Sequence, residues 1–200
     1  MLREIPNVLT KKECESIINY SRPNLKKSMV VDGDNIGGEM IHSSRTNSQA
    51  IFKPMSEVSN LSKLKDKIRN IISEETGFPI ENQETLTTLH YNVGEKFEPH
   101  YDWFYKDNKY WEGIEKCGGQ RIVSILIYLN DVSEGGETCY PELGIEIKPE
   151  MGKMLIHQNV LEGRELKSAL HGGKPPISDE KWALVCWIRE NKWRAVKDVF

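Results

Sequence analysis

The chain lacks several features that would assign it to a class at once. Its four cysteines, Cys14, Cys117, Cys139 and Cys186, form no Cys-x-x-Cys unit, so neither a zinc ribbon nor a redox dithiol is indicated and reduced thiols are expected. There is no basic excess: the formal charge is -3, and a nucleic-acid surface normally shows as surplus Lys and Arg. No nucleic-acid partner is expected. No apolar run approaches the roughly 20 residues that span a bilayer. The opening Met1-Leu2-Arg3-Glu4-Ile5-Pro6-Asn7 has no signal-peptide core. These absences predict a soluble, cytoplasmic protein without a membrane partner. Internal repeats and low-complexity tracts are also missing.

What is present suits one compact domain over residues 1–200, with a flank at 1–80 and a core at 85–190. Thr10-Lys11-Lys12-Glu13 has the form of a capping box, and Cys14, Ile17 and Ile18 follow at helical spacing. A first helix should run to about Tyr20 and stop at Pro23. Leu61, Leu64, Ile68, Ile71 and Ile72 make a second helical stripe through Thr76, with Gly77 placed as a left-handed cap. Residues 28–50, rich in Gly, Asp, Asn and Ser, read as a mobile connection between strands and a candidate lid.

After residue 80 the apolar period changes. Residues 85–91, 121–129, 145–148, 153–157 and 182–188 are β-branched or aromatic runs bounded by turn residues. Shorter strands at 99–104, 137–140 and 165–171 bring the total to about eight. The fold class expected is mainly β with flanking helices: a double-stranded β-helix, or jelly-roll barrel, with the N-terminal helices packed on one sheet. Residues 105–120 read as a flexible loop at the barrel mouth.

His100 and Asp102 are two apart, so on an extended strand they share one face. Two imidazoles and one carboxylate leave three positions open on an octahedral ion, the arrangement of non-haem Fe(II) oxygenases. His171 is the candidate for the second imidazole, because it opens Leu170-His171-Gly172-Gly173-Lys174-Pro175, where small residues let a ligand approach. His42 and His90 lack such company. Lys181 stands at the start of the last apolar strand, where a buried ammonium needs a carboxylate partner.

The local strings are Tyr91-x-x-Gly94 before Glu98-Pro99-His100-x-Asp102, and Tyr128-Leu129-Asn130-Asp131-Val132 before Gly135-Gly136-Glu137-Thr138 and Pro141. His171-x-Gly173-x-Pro175 then precedes Lys181-Trp182 and Trp187. In this order they resemble the prolyl 4-hydroxylase branch of the Fe(II)- and 2-oxoglutarate-dependent dioxygenases, over residues 85–190. The resemblance implies that His100, Asp102 and His171 bind iron and that Lys181 holds the far carboxylate of 2-oxoglutarate, helped by Tyr91 and Thr138. It places Trp187 in the same pocket and gives Arg121 and Arg45 to substrate binding. The implied activity is hydroxylation of peptidyl proline with release of succinate and CO2, using Fe(II), 2-oxoglutarate and O2, with ascorbate as an accompanying ligand. Phe97, Pro176 and Asp179 depart from the branch's usual residues and bear on the substrate. The alternatives are a same-fold dioxygenase acting on lysyl side chains, a free amino acid, another small molecule or a methylated base, and a non-catalytic metal-binding recognition barrel.

Overall fold

A computed structural model describes residues 2–31, 39, 40, 42–54, 59–106 and 111–195. It begins with β1 (Leu2–Ile5), α1 (Lys11–Ser21) and the short strands β2 (Lys26–Lys27), β3 (Val30–Val31), β4 (Glu39–Met40) and β5 (Ser48–Ile51). Next come α2 (Asn60–Thr76), β6 (Thr87–Tyr91), β7 (Phe97–His100), α3 (Trp111–Lys116) and β8 (Arg121–Tyr128). The chain continues through β9 (Thr138–Tyr140), β10 (Ile145–Ile147), β11 (Met154–Gln158), β12 (Val160–Leu161) and β13 (Arg164–Glu165). It ends with β14 (His171–Gly173) and β15 (Lys181–Arg189).

Seven strands form one antiparallel sheet in the order β1-β11-β8-β15-β6-β5-β2, and β10-β9-β14-β7 form a second. Tyr128 and Leu155 of the large sheet pack with Tyr140 and Ile147 of the small one, so the two sheets face each other as in a jelly roll. The outer face of the large sheet carries Val123, Ile125, Ile127, Leu184 and Ile188, and these pack against Ile17 of α1 and Leu64, Ile68 and Ile72 of α2. Burial on both faces explains why β15 reads as an almost unbroken apolar run, with alternate residues turned toward helices and barrel.

The local signals act as their chemistry requires. Glu13 accepts from the Thr10 backbone N–H at 2.9 Å and the Thr10 hydroxyl accepts from Glu13 N–H, closing the capping box. Pro23 lies in a 3-10 turn that ends α1, and Gly77 caps α2 at φ 75°.

Three expectations need correction. The strand expected over 165–171 is interrupted, because Lys167–Ala169 form a 3-10 turn between β13 and β14. The loop expected at 105–120 contains α3, closed by Gly118 and Gly119 at positive φ; its residues 107–110 lie outside the described residues. Where described, the 28–50 connection is ordered into β3 paired with β4, and β5 joins the large sheet. Its residues 32–38 and 41 lie outside the description.

Candidate active site

The end of β7 and the start of β14 are paired so that His100 stands opposite His171. Their ring centroids are 4.5 Å apart. Asp102 follows β7 and is buried, with Oδ1 3.7 Å from His100 Nε2 and Oδ2 3.6 Å from His171 Nε2. One ligand atom from each of the three residues lies within 4.8 Å of the other two.

Local hydrogen bonds orient all three. Each histidine Nδ1 lies 2.9 Å from a backbone carbonyl, that of Glu98 for His100 and that of Ala169 for His171. N–H donation there leaves each Nε2 lone pair facing Asp102. Ser124 Oγ donates to Asp102 Oδ2 at 2.6 Å and accepts from Asn159 Nδ2 at 2.8 Å. Burial, reinforced by His171, pushes the His100 imidazole down to about 3. Burial by itself would raise the Asp102 carboxyl, but His171, His100 and Arg121 outweigh it and hold the group far below the carboxylate range. A neutral His100 imidazole beside an ionised carboxylate is the state metal binding requires, and N and O donors without a thiolate suit Fe(II).

Lys181 is only 1% exposed. It lines the same pocket as the triad, with Tyr91, Thr138 and Trp187. Its Nζ lies 5.3 Å from the Tyr91 ring centroid and 5.5 Å from that of Tyr128. Among the described residues no carboxylate comes within ion-pair distance of it. Burial accordingly pushes the ammonium down to about 8, with Glu137 opposing weakly. Burial also lifts the Tyr91 phenol to about 12, so it keeps its proton and can donate. The Tyr128 hydroxyl donates to Thr138 Oγ1 at 2.7 Å, which leaves the Thr138 hydrogen for a ligand.

Three polar residues that sequence reasoning passed over complete the pocket: Ser124, Tyr140 and His157. His157 Nδ1 lies 3.0 Å from the Tyr140 hydroxyl, and its ring is 4.5 Å from that of His171. Burial, with His171, pushes this imidazole down to about 3 as well. Strand alternation carried a signal for two of them, since Ser124 and His157 fall on the barrel-facing positions of β8 and β11.

A family model described as the 2OG-Fe(II) oxygenase superfamily matches residues 86–189. The chain belongs to that superfamily. Probable prolyl 4-hydroxylase 10 of Arabidopsis thaliana is 36% identical over 212 residues, covering 94% of this chain and 68% of that protein. Prolyl 4-hydroxylase 5 of the same plant is 35% identical over 208 residues, covering 94% and 68%. The oxygenase therefore falls in the prolyl 4-hydroxylase branch, and its cofactors are Fe(II), 2-oxoglutarate and O2. Among solved structures, the viral collagen prolyl hydroxylase of Paramecium Bursaria Chlorella virus-1, in its 2OG complex, has the same fold at 23% identity, with a TM-score of 0.70 and 94% of each chain covered. A Trichoplax adhaerens prolyl hydroxylase in complex with a hypoxia inducible factor peptide fragment gives a TM-score of 0.65 at 13% identity, covering 94% of this chain and 83% of that one.

In this oxygenase the two expected substrate arginines part company. Arg45 lines the pocket, 4.6 Å from the Phe97 ring centroid, and donates to Asn47 Oδ1 at 3.1 Å and Gln49 Oε1 at 3.2 Å. Arg121 does not line it. Its guanidinium makes a two-pronged pair with Glu84 at 2.7 and 2.9 Å, a carboxylate shared with Arg189. It also lies 3.9 Å from the Trp187 ring centroid. The geometry thus places Arg121 against Trp187, outside the residues that line the pocket itself. Two cations held by one buried carboxylate explain why an arginine can stand there.

Proposed function

We propose that this oxygenase is a prolyl 4-hydroxylase acting on proline within an extended, polyproline-like peptide. The observation that carries the reading is the buried Lys181, which has no ion-pair partner among the described residues and shares its pocket with the triad. An ammonium so buried calls for an anionic ligand, and a dicarboxylate whose other end reaches the triad satisfies both sites.

In this reading His100, Asp102 and His171 hold the iron. Lys181 pairs with the far carboxylate of 2-oxoglutarate, and the hydroxyls of Tyr91 and Thr138 donate to the same group. Bound iron supplies the chemistry that converts 2-oxoglutarate and O2 to succinate and CO2 while one oxygen atom enters a substrate C–H bond. Leu126, Val185 and Trp187 give the pocket an apolar wall that excludes water. Tyr101, Trp103 and Tyr105 flank Asp102 in sequence and touch by a tilted and then an edge-to-face contact, with centroids 4.7 and 4.6 Å apart. Partly exposed aromatics of this kind suit the preformed polyproline helix, and Arg45, which lines the pocket against Phe97, is a further substrate contact.

A requirement for ascorbate and a cytoplasmic location belong to the same proposal. The four thiols, all free, are in the state a reducing compartment maintains. Incubation with Fe(II), 2-oxoglutarate and proline-rich peptides should release succinate and add one oxygen mass to a prolyl residue, more persistently with ascorbate than without. Oxygen added only to lysyl or free amino-acid substrates would move the assignment within the superfamily. No succinate with any substrate would favour a binding barrel.

A further inference from the structure

Lys181 and the triad account for two ends of the pocket, yet one buried polar atom in it has no role so far. His157 is 6% exposed and lines the pocket. Its Nε2 is fully buried and has no hydrogen-bond partner among the described residues. An imidazole so placed costs free energy that an apolar ring of similar size would avoid, unless a ligand completes it.

The sheet register says which end of the pocket it serves. His157 on β11 stands opposite Ser124 on β8, and Ser124 stands opposite Trp187 on β15. Ser124 holds Asp102, so this row lies at the level of the metal ligands. Lys181 lies three barrel-facing positions farther along β15, beyond Val185 and Ala183, beside Tyr91. His157 and Lys181 therefore belong to opposite ends of any ligand that spans the pocket. The ring of His157 is 4.5 Å from that of His171, within reach of whatever fills the open positions beside that ligand.

The Tyr140 hydroxyl sets the tautomer. When it donates to Nδ1 across the 3.0 Å contact, the proton of the neutral ring sits on Nε2 and faces the pocket. We propose that His157, oriented by Tyr140, donates a hydrogen bond from Nε2 to the keto-acid end of 2-oxoglutarate, the end nearest the metal. This rests on the cosubstrate reading above and adds a contact at the end opposite Lys181. His157 is thus a cosubstrate-binding residue and Tyr140 its positioning residue.

The test is calorimetric titration of Mn(II)-loaded full chain with 2-oxoglutarate and with 2-oxobutyrate, which keeps the keto-acid end and lacks the far carboxylate. His157→Phe should weaken both ligands by the same factor, about tenfold or more, as expected for a hydrogen bond to a charged group. His157→Gln, which offers an N–H near the same place, should recover most of that loss. Tyr140→Phe should weaken both ligands by a smaller factor, and Lys181→Met should weaken 2-oxoglutarate alone. Mn(II) affinity without keto acid should be unchanged in His157→Phe. Wild-type affinity for both keto acids in His157→Phe would overturn the proposal, as would a loss confined to 2-oxoglutarate or an equal loss of Mn(II) binding. If His157→Phe does not fold, Tyr140→Phe decides: a loss on both ligands supports the proposal and no loss on either overturns it. Wild-type protein that binds neither keto acid would remove the cosubstrate reading together with this inference. Binding in the wild type that His157→Phe leaves intact would remove this inference alone.

Discussion

At the scale of single residues, Lys181 carries an unusual electrostatic load, because its ammonium is buried and no carboxylate of the described residues comes within ion-pair distance. Its value falls from 10.5 to about 8, a shift of roughly 3 kcal/mol at about 1.4 kcal/mol per tenfold. The sign follows from linkage. Between pH 8 and 10.5 the unfolded chain binds the proton that the folded chain has released, so this group makes stability rise with pH across that window and weighs against the fold below it. Lys181→Met should therefore melt higher than the wild type near pH 7 in the absence of ligand, while 2-oxoglutarate affinity falls tenfold or more. Equal melting curves and equal affinity would show the ammonium to be paired. In the wild type, 2-oxoglutarate affinity should hold below pH 8 and decline above it as the ammonium loses its proton, and Lys181→Met should show no such decline. Ser124 offers a second test at this scale. Removing its bond to Asp102 by Ser124→Ala should weaken Mn(II) binding by about 10-fold to 100-fold, the usual effect of losing a ligand's supporting partner. Calorimetric Mn(II) titration of a folded variant checks this, and unchanged affinity would mean that Asp102 is positioned by its backbone alone.

At the scale of elements, legibility in the sequence followed the range of the forces involved. The helix α2 was plain because its apolar stripe and Gly77 act within a few residues, and Ile68 at its centre is fully buried. Ile68→Ala should cost about 2–5 kcal/mol and lower the denaturation midpoint without changing the KM for 2-oxoglutarate. A large KM change would mean that α2 touches the site. The His100-x-Asp102 pair was legible from its spacing, although β7 ends at His100 and a bend, not strand period, turns Asp102 toward the histidines. The contact between His157 and Tyr140 was not, because they meet only through the packing of β11 against the small sheet. The surroundings of Arg121 were hidden for a related reason. Its partner Glu84 lies 37 residues earlier, and no local pattern shows that such a pair will form. The turn at Lys167–Ala169 was hidden because Leu166, Ala169 and Leu170 read equally well as strand.

For the molecule as a whole, the two sheets act as a clamp. The large sheet brings Lys181 and Tyr91 to one end of the pocket, and the small sheet brings His100 and His171 to the other. A ligand that touches both ends binds only the folded chain, so Mn(II) and 2-oxoglutarate together should raise the melting temperature more than the sum of their separate effects. Purely additive shifts would place them at independent sites. The most direct test is anomalous diffraction from crystals grown with Mn(II) and 2-oxoglutarate. The account predicts one manganese peak bound by His100, Asp102 and His171, with the far carboxylate of the keto acid on Lys181 Nζ. Manganese bound elsewhere, or Lys181 turned onto a protein carboxylate while 2-oxoglutarate lies outside the barrel, would contradict it.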